Sequence, residues 1–173
     1  AGASQWFRQS WVTYSNDAKI KELGVTEEAL NRRGAVSAEV AIQMAQGARV
    51  KADASIALSI TGIAGPSNDG SNKKIGTVYV GIASENWANS DITEIGGNRA
   101  ENKIAFVHFA LLTAIKYWDR AMAKAEVARK EEESRVAAEE DAKLQFEEER
   151  AKREAEAKEN APWQDDAWDG DKS

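Results

Sequence analysis

The stretch ASIALSITGIAGP, residues 54–66, decides the fold. ASIALSIT, 54–61, is a short apolar run bounded by turn residues, which reads as a buried strand. It runs directly into a glycine- and proline-containing loop, GIAGPSNDGSNKK. GTVYVGIAS, 76–84, is a second strong strand, and NSDITEIGG, 89–97, a weaker third. Upstream, residues 6–14 read as a further strand on the strength of Trp6, Phe7, Trp11 and Val12. Three helices lie between. Ser15 or Asn16 can cap NDAKIKEL, which Gly24 stops, and Thr26 opens a second helix ending near Gly34. Ser37 caps a longer one with Val40, Ala41, Met44 and Ala48 along one face. Helices interleaved with apolar strands predict an α/β domain with helices on both faces of a sheet.

From Arg99 a long helical pattern begins. Ile104, Val107, His108, Leu111, Ile115 and Trp118 recur with the 3.6-residue period of a helix packed on a sheet. On this reading His108 is a packed histidine, and Trp6 and Trp11 belong to a core or an interface. No stop signal follows at 120, and the helical pattern runs on to Pro162. Its second half changes character. Val127, Val136, Leu144 and Phe146 make no sustained heptad. Glutamate-to-basic pairs four apart recur instead: Glu126–Lys130, Glu131–Arg135, Glu139–Lys143, Glu149–Arg153 and Glu154–Lys158. A solvated single helix is one reading and a weak coiled coil the other. PWQDDAWDGDKS closes the sequence as an acidic, turn-like tail with two tryptophans. The organisation predicted is a globular domain at 1–120, a charged helix at 121–160 and a disordered tail at 161–173.

Charge marks the same division. Residues 1–120 hold 13 Lys and Arg against 12 Asp and Glu, whereas residues 121–173 hold 10 against 17. Neither part is basic enough to suggest a nucleic-acid partner. There is no cysteine, and His108 is the only histidine, which argues against a disulfide framework, a thiolate or multi-histidine metal site and a histidine-based triad. No apolar run is long enough for a bilayer and no signal peptide is visible, so a cytoplasmic location without membrane contact is expected. The chain opens on Ala1 and enters strand-like sequence almost at once, as an N-terminally incomplete or a trimmed chain would.

Two stretches carry chemistry. In VTYSNDAK, 12–19, Tyr14 ends the predicted strand and Lys19 falls in the first turn of the next helix. The positive end of the helix dipole and partial burial both favour the neutral amine, which can act as a general base or ionise a neighbouring phenol. A strand tyrosine followed by a surface lysine is the plainer alternative. TGIAGP, Thr61 to Pro66, follows a buried strand, and Thr61, Gly62, Ile63, Ala64 and Gly65 can bring backbone N–H groups close to a ligand. A plain tight turn would use the same residues.

VTYSNDAK, GAVSAEVA (34–41), TGIAGP and GTVYVGIA (76–83), in this order and at this spacing, resemble the CinA C-terminal domain family. AGASQWF and GGNRAENK (96–103) are similar to it too, and the resemblance covers about residues 1–120. It implies a three-layer α/β/α sandwich with a mixed sheet, here followed by the long charged helix and the tail. It also implies nicotinamide mononucleotide deamidation: hydrolysis of the nicotinamide amide to the acid with release of ammonia, with no metal and no cofactor. The family's catalytic set is a serine, a tyrosine and a lysine, and the last two fall on Tyr14 and Lys19. Arg99 matches an arginine that could contact the mononucleotide phosphate, or it is a plain surface arginine at a helix start.

The sequence departs from the family pattern in places. The serine belongs to an ESCTGG motif upstream of AGAS, and no such motif occurs in these 173 residues. Ser10 and Ser15 lie nearby but outside any such motif. Lys74 stands where proline is common, and Asn98 where aspartate is. The chain by itself is therefore expected to be inactive. A pyridine mononucleotide is the expected small-molecule partner. A homo-oligomer and a protein partner for residues 161–173 complete the expectation. The alternative is a non-catalytic binding or scaffold protein that recruits a partner through its helix and tail.

Overall fold

The computed structural model describes residues 2–68, 70 and 72–159. The first three α-helices each begin on a hydroxyl cap. Ser15 Oγ accepts from the N–H of Ala18 at 3.0 Å and opens α1, Asn16–Leu23. Thr26 Oγ1 accepts from Ala29 at 3.2 Å and opens α2, Glu27–Arg33. Ser37 Oγ accepts from Val40 at 3.4 Å and opens α3, Ala38–Ala52. Such a cap satisfies an N–H group that the helix itself cannot, and its loss costs typically about 1 kcal/mol.

Three strands follow: β1, Ile56–Gly62; β2, Thr77–Ser84; and β3, Ala88–Glu94. They form an antiparallel sheet in the order β1-β2-β3. β2 is central, and its Val78, Val80, Ile82 and Ala83 are buried. A strand covered on both faces needs a near-continuous apolar run, and TVYVGIAS supplies one. On one face lies α3. Gly81 of β2 comes so close to it that a Cβ there would sit 2.2 Å from the carbonyl oxygen of Ala41. Ser59 of β1 donates to that same oxygen at 2.6 Å. On the other face Val78 and Val80 pack with Phe106 and Ala110 of α4, Arg99–Glu159. A second core cluster joins α1, α2 and α3 through Leu23, Val25, Leu30, Val40 and Met44. The α/β class with helices on both sheet faces is thus the observed one.

The chain divides into two compact units, Ala1–Ala121 and Met122–Ser173. In the second, the described helix is exposed and laced with ion pairs. Glu126–Lys130 at 3.4 Å and Glu149–Arg153 at 3.5 Å pair as read from the sequence. Arg135 instead meets Glu132 at 2.7 Å and Glu139 at 3.9 Å, because positions three and four apart are both neighbours on a helix. The expected tail, 161–173, lies outside the described residues. Among the described residues no helix is long and apolar enough to cross a membrane.

Several expectations need correction. Residues 6–14 form no strand, and Trp6, Phe7 and Val12 are exposed, Val12 at 94 %. Only Trp11 reaches the core. Strand propensity measures fit to a half-buried pleated surface, and among the described residues no neighbouring strand provides one. Both pairings are antiparallel, so no mixed sheet is formed among the described residues. The sheet-facing side of α4 is also different. Asn102, Phe106, Ala110 and Thr113 are buried, while Ile104, Val107, His108, Leu111, Ile115 and Trp118 are exposed.

Gly81→Ala should lower stability by about 1–3 kcal/mol, because its methyl would displace α3 or bend β2. Gly96→Ala, where a Cβ would meet no atom within 4 Å, should change it by less than about 0.5 kcal/mol. Urea denaturation followed by tryptophan fluorescence distinguishes the two. Equal effects would show that the α3–β2 approach is not tight.

Candidate functional site

Lys19 is buried although it lies one turn into α1, and its Nζ donates to the carbonyl oxygens of Thr13 at 2.8 Å and Tyr14 at 3.2 Å. Burial pushes the amine below the ordinary lysine value of 10.5. The arrangement has a chemical consequence. A charged ammonium has three donors and no acceptor. A neutral amine has two donors, which the two carbonyls can take, and its lone pair is left to accept a proton. The predicted pair is therefore joined, but through the backbone of Tyr14. The phenol ring is 89 % exposed, and its hydroxyl makes no hydrogen bond among the described residues. Ser15, between them, is occupied in capping α1.

The TGIAGP loop is anchored residue by residue. Thr61 is buried and donates from Oγ1 to the carbonyl of Ala35 at 2.8 Å. Gly62 cannot carry a side chain, since a Cβ would lie 2.9 Å from both the Phe106 ring and the Thr77 carbonyl. Ile63 is buried, and its N–H donates to Thr77 at 2.9 Å. The next two carbonyls are held by the first turn of α4. Asn102 Nδ2 donates to Ala64 at 3.1 Å, and Arg99 Nη1 donates to Gly65. Gly65 adopts a φ of 92°, in the left-handed region that favours glycine.

Arg99 is exposed and makes no ion pair among the described residues. A guanidinium has five donors, so a cation oriented by one neutral carbonyl retains donors for an anion. The start of α4 is itself closed by a capping box. Asn98 Oδ1 accepts from Ala100 at 2.9 Å and Glu101 at 3.2 Å, while Glu101 Oε2 accepts from Asn98 N at 2.9 Å.

The structure thus unites Arg99 with Ala64 and Gly65, and Lys19 with the backbone of Tyr14. No hydrogen bond or ion pair joins these two groups among the described residues. Among those residues, no group of three or more His, Asp or Glu converges on one point. Sequence reasoning missed Asn102. It lies within GGNRAENK, where only Asn98 and Arg99 were singled out, and the Asn98–Glu101 capping spacing locates the start of the helix.

Fold and site together define an α/β domain with a loop-and-arginine corner and a buried lysine. The chain belongs to the CinA C-terminal domain family, which residues 1–118 match. It is 50 % identical over 110 residues to a competence-damage inducible protein of Caldicellulosiruptor saccharolyticus, covering 64 % of this chain and 27 % of the relative. It is 41 % identical over 111 residues to a CinA-like protein of Geotalea daltonii, again covering 64 % and 27 %. Among solved structures, a CinA superfamily protein of Escherichia coli superposes with a TM-score of 0.59 at 32 % identity, covering 61 % of this chain and 62 % of that one. A competence/damage inducible protein of Agrobacterium tumefaciens gives 0.58 at 39 %, covering 61 % and 65 %. The chain spans about a quarter of the length of the curated relatives it matches.

The buried amine has a measurable signature. The folded chain holds the Lys19 proton less tightly than the unfolded chain does. Stability therefore rises with pH above the lowered folded value and up to 10.5. Below the folded value the cost of charging the buried amine is constant. Relative to Lys19→Met, the wild type should gain stability as the pH is raised towards 10.5. Parallel pH profiles of the two in urea unfolding would show that the amine is not desolvated.

Proposed function

We propose that this chain carries the lysine, tyrosine and phosphate-binding elements of a nicotinamide mononucleotide amidohydrolase. The observation that supports it most is the buried Lys19 amine, held on two main-chain carbonyls, with its proton affinity lowered by burial. Such an amine is suited to take a proton from a hydroxyl nucleophile, directly or through Tyr14. Arg99, fixed by Gly65 and without a carboxylate partner among the described residues, suits the phosphate. In the reaction, a serine oxygen attacks the carboxamide carbon and Lys19 or Tyr14 receives its proton. That proton passes to the departing ammonia. Water then cleaves the acyl-enzyme to release nicotinate mononucleotide and regenerate the serine. A cytoplasmic location goes with this reading.

The serine step needs a residue supplied by an ESCTGG-type segment, and the 173 residues contain none. The chain alone should therefore release ammonia from nicotinamide mononucleotide at no more than the background rate. Fused to a relative's ESCTGG-bearing segment, it should turn over. In that fusion Tyr14→Phe and Lys19→Met should each lower kcat roughly 10²-fold or more, and Arg99→Ala should raise KM about tenfold or more. Ammonia assays on the purified proteins check this. Turnover by the chain alone, or a fusion indifferent to Tyr14 and Lys19, would overturn the reading.

A further inference from the structure

Asn102 stands one turn into α4 and is completely buried. Its Nδ2 reaches two carbonyls from two different loops: Ala64 of TGIAGP at 3.1 Å and Gly97 of the turn before α4 at 2.9 Å. Both partners are acceptors only, so the amide nitrogen must face them and the orientation of the carboxamide is determined. Its own oxygen is buried and has no donor among the described residues. It lies against Gly97, where a Cβ would be 3.2 Å from it. Burying an acceptor without a donor is a cost that a merely space-filling residue would not carry.

Arg99, three positions earlier on the same helix, donates to the next carbonyl of the loop, that of Gly65. Residues three apart share a helix face, so the first turn of α4 grips two successive loop carbonyls. Arg99 is long and exposed and has many rotamers, whereas Asn102 is short and packed. The short residue is the one able to set the distance.

We propose that Asn102 is a positioning residue that locks the TGIAGP loop to the start of α4. The guanidinium of Arg99, oriented by the Gly65 carbonyl, then presents a single preset anion site to the phosphate of a pyridine mononucleotide. The phosphate part rests on the function proposed above, and the locking part does not. Removing the two donors frees Ala64 and Gly97 together. Arg99 keeps its charge but loses the fixed carbonyl that orients it, and a site that must be ordered on binding binds more weakly.

The test uses the whole chain and the variants Asn102→Leu and Asn102→Asp. An aspartate at 102 would face two carbonyls in a buried place. Desolvation and lone-pair repulsion raise such a carboxyl above the ordinary range. Protonated, it can still donate to one carbonyl; ionised, it repels both. Amide hydrogen exchange, corrected for intrinsic rates, should show Gly62–Gly65 and Ile95–Asn98 losing protection about tenfold or more in Asn102→Leu. The β2 amides should be unchanged. In Asn102→Asp the same loss should appear at pH 8.5 and shrink at pH 6. Nicotinate mononucleotide binding, read by calorimetry relative to wild type at each pH, should follow: about tenfold weaker at pH 8.5 and largely restored at pH 6. Arg99→Ala should be weak at both.

Unchanged loop protection in a folded Asn102→Leu or Asn102→Asp protein would overturn the proposal, as would a binding loss in Asn102→Asp that does not depend on pH. If Asn102→Leu does not fold, the pH-reversible aspartate variant still decides. If the wild type binds no mononucleotide while the variants show the exchange pattern, the phosphate assignment is overturned and the lock stands.

Discussion

The carbonyl oxygen of Ala41 is the point on which the domain is assembled. It lies within α3, accepts a hydrogen bond from Ser59 of β1 and sits over Gly81 of β2. A helix oxygen that meets a strand backbone at this range leaves no room for a side chain between them. With α3 drawn down, the central strand is sealed on one side, and the opposite side needs only modest residues. Phe106 and Ala110 of α4 close over Val78 and Val80. The end of β1 is then carried to the start of α4, and the loop between β1 and β2 is held where Arg99 and Asn102 can reach its carbonyls.

The loop is built from the same constraint. Gly62 continues β1 into a place where the Phe106 ring and the Thr77 carbonyl forbid a side chain. Thr61 spends its hydroxyl on Ala35, just ahead of α3. The residues that resemble a ligand loop are therefore also packing residues. What the packing leaves over is the guanidinium of Arg99 and the exposed hydroxyl of Tyr14, while the Lys19 amine is turned onto two main-chain carbonyls.

Much of this was legible in the sequence, and the reasons for the rest are physical. Ser15, Thr26 and Ser37 announce their helices because a cap is a local event, one side chain and one N–H three residues on. β2 is legible because a strand buried on both faces must be apolar throughout. The packed side of α4 is not, since large apolar residues occur nearly all round the helix. Periodicity picked the row of Ile104, Leu111, Ile115 and Trp118, whereas the sheet accepted Asn102, Phe106, Ala110 and Thr113. The short and polar members of that row suit a close approach. The segment 6–14 has strand-like composition, but a strand requires a neighbour, and composition does not report one. Tyr14 and Lys19 were found as a pair, yet the contact between them, amine to main-chain carbonyl, follows from the burial of Lys19 and from no side-chain pattern. Asn102 was missed because its partners are backbone atoms 38 and five residues away.

The order of the strands also bears on how the domain comes together in time. β2 and β3 are neighbours in sequence as well as in the sheet, with Ser84 N–H bonded to the Trp87 carbonyl across the turn at 2.8 Å. Hairpins of this kind close within about 1–10 μs. β1 and β2 are also adjacent in the sequence, and the entropic cost of closing a connection grows only with the logarithm of its length. Contacts between nearby segments give a low contact order, which goes with rapid folding. The slower search belongs to α3 and α4, which must find opposite faces of the same strand from opposite ends of the sheet sequence.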